Sequence, residues 1–234
     1  DGYAETLTNV PGWDDLYFGK LLGRHLQRDD VVAANDANAA MLAEWKLGVL
    51  QGVDVGILLT LGTGVGGAMI IDGKPFVGSH KAGEQMGHIV IDRNGAKCGC
   101  GRTGCFEAMA NATAIARYGK TEAEKDSHSL LHSVATITGK EVSAAAQKGD
   151  AAALRALDRY IEYLAIGIVN YICILDPAVI ALGGGIAQAH GLFEKLRPKV
   201  REHLPRELPM VEVLPAKMGV KAGMIGAAIL PTIS

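Results

Sequence analysis

The chain has 234 residues, a formal net charge of −2 and 49% hydrophobic residues, enough to bury a sizeable core. Few aromatic residues (5%) and 30 glycines favour an α/β fold with many tight turns over a helical bundle or a disordered chain. No basic stripe is present to neutralise a nucleic-acid backbone. The apolar stretches are too short to span a bilayer and no secretory leader is visible, so we expect a cytoplasmic protein.

Helical and strand patterns alternate along the chain. In order, we predict a helix over 13–29, a buried strand over 31–34, a helix over 37–47, strands over 56–61, 66–71, 74–77 and 89–91, mixed helical structure over 113–148, a helix over 151–175, a strand over 179–182, a helix over 192–203, a strand over 211–214 and a helix over 223–230. Asp72-Gly73 is a strong hairpin signal. The chain lacks an obvious linker, so any two domains must share it discontinuously.

Three of the four cysteines, Cys98, Cys100 and Cys105, crowd into one short loop. An odd cluster cannot pair fully within itself, and crowding of this kind in a cytosolic protein favours a metal over disulfides. With His88 the pattern is H-x9-C-x-C-x4-C, and one imidazole with three thiolates is a standard ligand set for tetrahedral structural zinc. The alternative is a loop of reduced cysteines without metal. Cys173 lies in an apolar run and is predicted to be a small core residue.

Glycines accompany this cluster and are predicted to let the backbone turn all three sulfurs inward: Gly99, Gly101 and Gly104.

A glycine-rich stretch over 62–67 contains a formal G-x-G-x-x-G. A dinucleotide-binding fingerprint must follow a strand and open a helix, whereas a second strand follows here. We therefore predict a β-hairpin turn in which the amides of Gly62, Gly64 and Gly66 and the hydroxyl of Thr63 approach a phosphate. The alternative is a glycine-rich turn without a ligand.

A second glycine stretch, Gly183, Gly184 and Gly185, lies between a buried strand and a helix. α/β proteins commonly hold nucleotides in a crevice outside the carboxyl ends of strands. A plain sharp turn rarely needs three consecutive glycines, because each is costly in backbone entropy. This stretch therefore predicts a second nucleotide-binding loop.

An Asn35-Asp36 pair follows the strand predicted over 31–34. Phosphoryl transfer to a hydroxyl needs a carboxylate that accepts the hydroxyl proton, which Asp36 could provide while Asn35 orients the acceptor. The alternative, favoured by the local sequence alone, is that Asp36 or Asn38 caps the following helix.

Together these segments resemble the ROK family of repressors, open reading frames and sugar kinases. The stretch over 98–107, Cys-Gly-Cys-Gly-Arg-Thr-Gly-Cys-Phe-Glu, is close to the family signature, and His88 stands at the matching zinc position. Residues 35–38 match the sugar-binding and catalytic segment, 61–67 a phosphate loop and 182–185 an adenosine-side loop. The resemblance extends over essentially the whole chain.

The resemblance implies an actin-like ATPase (ribonuclease H-like) fold, with two α/β lobes around a cleft. Residues 1–34 and 220–234 would be a remnant of the small lobe, and 35–219 the large lobe with the zinc loop. It also implies an ATP-dependent hexose kinase, glucose being the leading substrate, that uses Mg²⁺ with ATP and commonly forms a homodimer.

The implied roles fall on matching positions. Asp36 would be the general base, and Asn35, His88 and Glu107 would be sugar ligands. His88 would use one ring nitrogen for zinc and the other for a sugar hydroxyl.

Two features depart from the family pattern. Three residues before the zinc histidine, where members carry a glutamate that binds the sugar, stands Gln85, preceded by Glu84. Either Glu84 reaches the sugar through a shifted turn or Gln85 binds it as a neutral amide. The family's initial D-x-G-G-T phosphate motif is also missing, which leads us to expect that the sequence is truncated at its start.

Three other functions compete with a glucose kinase. One is a sugar-responsive transcriptional repressor of the same family, and another is an N-acetylhexosamine kinase. Asp36 and both glycine loops favour a kinase over a repressor, since a pure sensor needs neither base nor phosphate contacts. A zinc-dependent oxidoreductase is disfavoured by the hairpin context and the closed metal site.

Overall fold

The computed structural model describes residues 3–6, 12–80, 84–189 and 191–232. Its strands are β1 (Tyr3–Thr6), β2 (Asp14–Tyr17), β3 (Gly56–Leu61), β4 (Val65–Ile71), β5 (Lys74–Pro75), β6 (Val179–Gly183) and β7 (Glu212–Pro215). Its α-helices are α1 (Phe18–Leu26), α2 (Asp36–Leu47), α3 (Phe106–Ala110), α4 (Ala112–Ala123), α5 (Gly139–Gln147), α6 (Ala151–Leu175), α7 (Leu192–His203) and α8 (Ala222–Ile229). Short 3₁₀ turns include Met86–His88 and Ile186–Gln188.

A five-stranded mixed sheet with the order β5-β4-β3-β6-β7 forms the centre of the molecule. β3, β4 and β5 are antiparallel neighbours, whereas β6 and β7 continue the sheet parallel to β3. The turn from β4 to β5 has positive φ at both Asp72 (53°) and Gly73 (67°), as a tight two-residue hairpin turn requires. The predicted hairpin signal is therefore confirmed.

Helices cover both faces of this sheet. Leu58 and Ala181 point toward α2 and α8 and share a core cluster with Met41. The next residues along the strands, including Ile57 and Leu59, point to the opposite face and join the larger cluster with α3 to α7. This alternation follows from the two-residue period of a strand and gives three layers, α/β/α.

Most predicted elements are confirmed within a few residues, and α6 coincides with the predicted 151–175. The side chain of Asp150 caps its first turn by accepting from the Ala153 amide at 2.8 Å. Its other end falls at Asp176, which takes a left-handed conformation (φ 44°) just before Pro177. Within the described residues, no helix combines the length and hydropathy needed to cross a membrane.

Three predicted elements are wrong. The helix over 13–29 begins only at Phe18, because residues 14–17 pair with β1 as an antiparallel strand. Residues 31–34 form no strand; 32–34 are exposed, and no described strand lies beside them to complete a ladder. Residues 89–91 form only an isolated bridge, Val90 with Cys105, because the cysteine loop folds back on them.

Two residue-level expectations also need correction. Cys173 is exposed on α6 and is not a core residue. Gly99 has a negative φ and open space where a side chain would stand, so it is not needed for the turn. Gly101 and Gly104 do take positive φ values, of 87° and 74°.

Candidate functional site

The two glycine loops lie side by side at one edge of the sheet. β3 and β6 are parallel neighbours, with Thr60 opposite Gly183, so their carboxyl ends emerge together. Gly184 has φ +85°, and a Cβ there would lie 2.3 Å from the Leu61 carbonyl oxygen. Only glycine allows this approach, so the juxtaposition is built into the backbone. Such an edge is where α/β sheets commonly bind ligands.

The hairpin loop between β3 and β4 is anchored yet open. The Gly62 amide donates to the Gly64 carbonyl at 3.0 Å, and the Gly62 carbonyl accepts from Ala112 at 2.9 Å. Thr63 is exposed. The backbone at Gly62, like that at Gly185 in the other loop, has no atom within 4 Å of where a Cβ would stand. Both loops therefore leave room for a ligand beside bare backbone.

Gly66 is constrained in a different way. A Cβ there would lie 2.6 Å from the Thr60 hydroxyl and 3.4 Å from the Ala37 methyl. Its small size therefore allows the first turn of α2, at Ala37, to pack against β4.

At the start of α2, one residue caps the helix and the next is exposed to solvent. Asn35 is the N-cap, and its side chain accepts from the amides of Ala37 (2.9 Å) and Asn38 (3.4 Å). The alternative in which Asp36 or Asn38 is the cap is therefore wrong, although one oxygen of Asp36 also accepts from Ala37 at 2.8 Å. Asp36 is exposed at the helix start and is available to a substrate.

His88, Cys98, Cys100 and Cys105 converge as predicted, with their ligand atoms all within 4.8 Å of one another. The Cys100 and Cys105 sulfurs are 3.6 Å apart, as are His88 Nδ1 and the Cys98 sulfur. Ligand atoms of a tetrahedral zinc site lie roughly 3.3–3.8 Å apart, given bonds of about 2.0–2.3 Å. The four residues fit a tetrahedral cation after a small contraction.

The thiols of this cluster differ in their tendency to ionise. Burial raises the pKa of Cys98 to about 12 and raises that of Cys105 as well. The amide and guanidinium of Arg102 donate to the Cys100 sulfur and lower its pKa to about 6. Buried thiolates need a nearby positive charge, which a bound cation would supply.

Glu107, on α3, joins the metal cluster to the glycine hairpin. Its Oε2 accepts from the Val65 amide at 3.1 Å, and a Cβ on Gly64 would lie 2.5 Å from that oxygen. Its Oε1 is 3.7 Å from the Cys98 sulfur and 4.0 Å from His88 Nδ1. The predicted sugar ligands His88 and Glu107 are thus neighbours, and Glu107 also contacts the predicted phosphate loop.

Glu84 and Gln85 have different environments. Glu84 is partly buried with φ 62°, and its Oε1 accepts from the Met69 amide of β4 at 2.7 Å. Burial raises its pKa, while hydrogen bonds from that amide and from the Asn38 side chain act in the opposite direction. Gln85 is exposed. The shifted turn therefore directs Glu84, rather than Gln85, toward the interior beside α2.

Two residues near the site were missed by the sequence analysis. Arg102 donates to the His88 carbonyl as well as to Cys100, so it links both parts of the metal cluster. Asn38 was considered only as a cap, but its side chain contacts Glu84. The position of Arg102 between the cysteines was a usable signal, whereas nothing local indicated the Asn38 contact.

A cleft of about 560 Å³ lies away from this site, between α6 and α7. Its charged lining is largely self-paired: Lys195 with Asp158 at 3.6 Å, and Lys199 with Glu162 at 3.3 Å. The cleft therefore offers little unpaired charge to a ligand.

Known proteins similar to the chain include sugar kinases. A sequence model of the ROK family matches residues 2–232. The glucokinase of Thermotoga maritima is 36% identical over 234 residues, which cover 97% of this chain and 74% of that protein. The glucokinase of Halalkalibacterium halodurans is 38% identical over an alignment of 242 residues, which covers 98% of this chain and 71% of that protein.

Solved structures agree with these similarities. The ROK family glucokinase from Streptomyces griseus, crystallised with glucose and AMPPNP, superimposes with a TM-score of 0.85 at 31% identity, covering 100% of this chain and 78% of that one. A ROK family transcriptional regulator, a homolog of the E. coli MLC protein, gives a TM-score of 0.83 at 28% identity and covers 99% and 60% of the two chains.

Proposed function

The chain belongs to the ROK family, and from this premise we propose that the protein transfers the terminal phosphoryl group of ATP to a hydroxyl of a hexose, glucose being the favoured acceptor. The expected actin-like ATPase fold is confirmed by the likeness to the Streptomyces griseus glucokinase. The proposed reaction makes the protein a phosphotransferase with an alcohol acceptor, suited to the first step of glucose metabolism.

One observation carries this proposal within the structure: the first turn of α2 packs against β4 at Gly66, at the end of the glycine hairpin. This packing brings the first turn of α2, with the exposed Asp36, to the edge of the sheet where the backbone at Gly62 and Gly185 leaves room for phosphates. A base beside a phosphate site is what transfer to a hydroxyl requires.

Each group at this edge has a proposed task. Asp36 accepts the proton of the attacking hydroxyl, and Asn35, Glu84, His88 and Glu107 bind the sugar hydroxyls. The loops at 62–66 and 183–185 bind the nucleotide. Mg²⁺, brought with ATP, offsets the charge on the transferring group. Gln85 lies outside this set because the turn directs Glu84, rather than Gln85, toward β4 and α2.

We propose zinc as the occupant of the cysteine cluster, because three thiolates and one imidazole suit it best. His88, Cys98, Cys100 and Cys105 would hold the ion with no position left for substrate. Its role is structural: it fixes the loop that orients His88 and Glu107. We further propose a cytoplasmic homodimer, in keeping with the family.

The second candidate is a sugar-sensing transcriptional regulator, which the likeness to the MLC homolog favours. A regulator would bind sugar in the same place, but it would have no use for Asp36 or the glycine loops. Phosphoryl transfer therefore separates the two candidates.

The experiment is ATP consumption by the full-length protein with glucose, mannose, fructose, N-acetylglucosamine or N-acetylmannosamine, together with calorimetric binding of each sugar. Fastest turnover of glucose supports the proposal. Turnover of an N-acetylhexosamine instead would revise the substrate. Sugar binding without any turnover would point to the regulator.

A further inference from the structure

The turn that carries His88 is held by a residue far away in the sequence. Tyr171, on α6, lies 85 residues after Met86, and its hydroxyl donates a hydrogen bond to the Met86 carbonyl. The side chain is 4% exposed. Its ring packs against Phe106 with ring centroids 6.2 Å apart. The long central helix thus reaches directly to the 3₁₀ turn Met86–His88.

The same turn packs tightly against β4. A Cβ on Gly87 would lie 2.0 Å from the Val65 carbonyl oxygen, and a Cβ on Gly67 would lie 2.5 Å from the Met86 sulfur. Met86 is itself 4% exposed. These contacts limit movement of the turn toward the sheet, but they do not prevent it from sliding or rotating along it.

The hydroxyl of Tyr171 supplies a directional contact at the buried start of the turn, whereas Arg102 bonds the His88 carbonyl at its end. Apart from the Tyr171 hydroxyl, the Met86 carbonyl accepts a long bond of 3.4 Å from the Ile89 amide. Leaving a buried carbonyl oxygen without its main hydrogen-bond donor costs free energy. Without the Tyr171 hydroxyl, the turn would therefore shift until the Met86 carbonyl found another donor. His88 lies at the end of this turn, and any shift would move its ring relative to Cys98 and Glu107.

We propose that Tyr171 is a positioning residue for the sugar site, where its hydroxyl fixes the Met86–His88 turn so that the His88 ring faces the cysteine cluster and the sugar together. This inference rests on the proposed function, in which His88 binds both metal and sugar. Tyr171 touches neither of them and acts only through the turn.

Two other buried tyrosines provide matched controls. Tyr118 is 2% exposed, and its hydroxyl donates to the Met109 carbonyl at 2.8 Å, a bond of the same kind at another place. Tyr160 is 1% exposed, and within the described part of the chain its hydroxyl has no hydrogen-bond partner. Removing these hydroxyls tests the general cost of losing a buried phenol.

The experiment compares Tyr171→Phe, Tyr118→Phe and Tyr160→Phe in the full-length protein. Calorimetry gives the glucose Kd, steady-state kinetics give KM for glucose and for ATP, and hydrogen exchange reports on the peptide over 84–92. For Tyr171→Phe we expect about a tenfold rise in glucose Kd and KM, since small misplacements of binding groups are costly. KM for ATP and the two control variants should stay near wild type, and only Tyr171→Phe should speed exchange over 84–92.

A Tyr171→Phe variant with unchanged exchange over 84–92, or with glucose affinity no weaker than that of Tyr118→Phe, would overturn the inference. Equal increases in KM for glucose and ATP would also overturn it, because they indicate general loosening. If the wild-type protein binds no glucose, the proposed function fails first. Hydrogen exchange then still decides whether Tyr171 holds the turn.

Discussion

Glu84 is a carboxylate whose surroundings oppose its charge. Burial raises its pKa above the ordinary value, so the folded chain holds this proton more tightly than the unfolded chain does. The stability gained from protonated Glu84 is complete below the ordinary glutamate pKa and is lost as pH rises through the raised value in the fold. A partly buried acid therefore weakens the fold near neutral pH.

Glu84→Gln should remove this loss, because a neutral amide can still accept from Met69. We expect the free energy of unfolding of the variant to exceed that of wild type near neutral pH and to match it below the ordinary glutamate pKa. Urea titrations across this pH range make the measurement. A constant difference between the two proteins at every pH would contradict the account.

Gly184 is the residue on which the contact between the glycine loops depends. Gly184→Ala should lower the free energy of unfolding by at least about 2 kcal/mol, since the positive φ and the Leu61 carbonyl both resist a Cβ. Gly185→Ala is the control, since its φ is −67° and the space is open. Its effect on stability should stay within about 1 kcal/mol. Similar losses in both variants would refute this assignment.

Single residues were predictable from the sequence where their chemistry is local. The predicted metal ligands follow from spacing and residue type, and these four side chains do converge. Helix capping was misassigned between neighbours, because the N-cap must be extended while the next residue is already helical. Asn35 has that extended backbone (φ −62°, ψ 145°) and Asp36 does not. The sequence indicated a cap but could not say which residue adopts it.

If the cysteine cluster holds zinc as proposed, the loop over 97–106 is the element whose order depends most on a bound ion. Removing the metal with a chelator should release the buried thiols from their shared cation and loosen the loop over 97–106. Hydrogen exchange in this segment should rise, and glucose binding should be lost, while exchange in α6 stays low. Readdition of zinc should restore both. Glucose binding that survives complete metal removal would contradict a structural role for the ion.

Helices and strands were predictable where the hydrophobic periodicity and the residues that end an element indicated the same structure. The strand over 56–61 and the helix over 151–175 satisfy both conditions, and both are found in place. The segments over 31–34 and 89–91 are apolar but depend on what lies beside them. A strand exists only with a neighbour, and local sequence does not specify one. The β2 strand was missed for the converse reason, since pairing with β1 overrides its helical pattern.

The whole molecule brings together groups that are distant in sequence. Val65 and Glu107, 42 residues apart, are joined by one hydrogen bond that connects the glycine hairpin to the helix α3 that follows the cysteine loop. The α/β class could be predicted from the alternation of helical and strand patterns, whereas the convergence of both glycine loops depends on β3 and β6 being neighbours, which the sequence does not specify. The Glu107 link could not be predicted, and the inward turn of Glu84 stayed one of two open alternatives, because both depend on how the helices pack against the sheet. The division into lobes at 1–34 with 220–234, and 35–219, remains a prediction.

The central claim is that Asp36 serves as the base of an ATP-dependent glucose kinase. The most direct test is the rate of glucose phosphorylation by full-length wild type and Asp36→Asn, with the glucose Kd measured in parallel. We predict ATP-dependent turnover by wild type, and turnover lower by about a hundredfold or more in the variant with nearly unchanged Kd. Comparable turnover in both proteins would contradict the role of Asp36, and glucose binding without turnover by wild type would contradict the kinase itself.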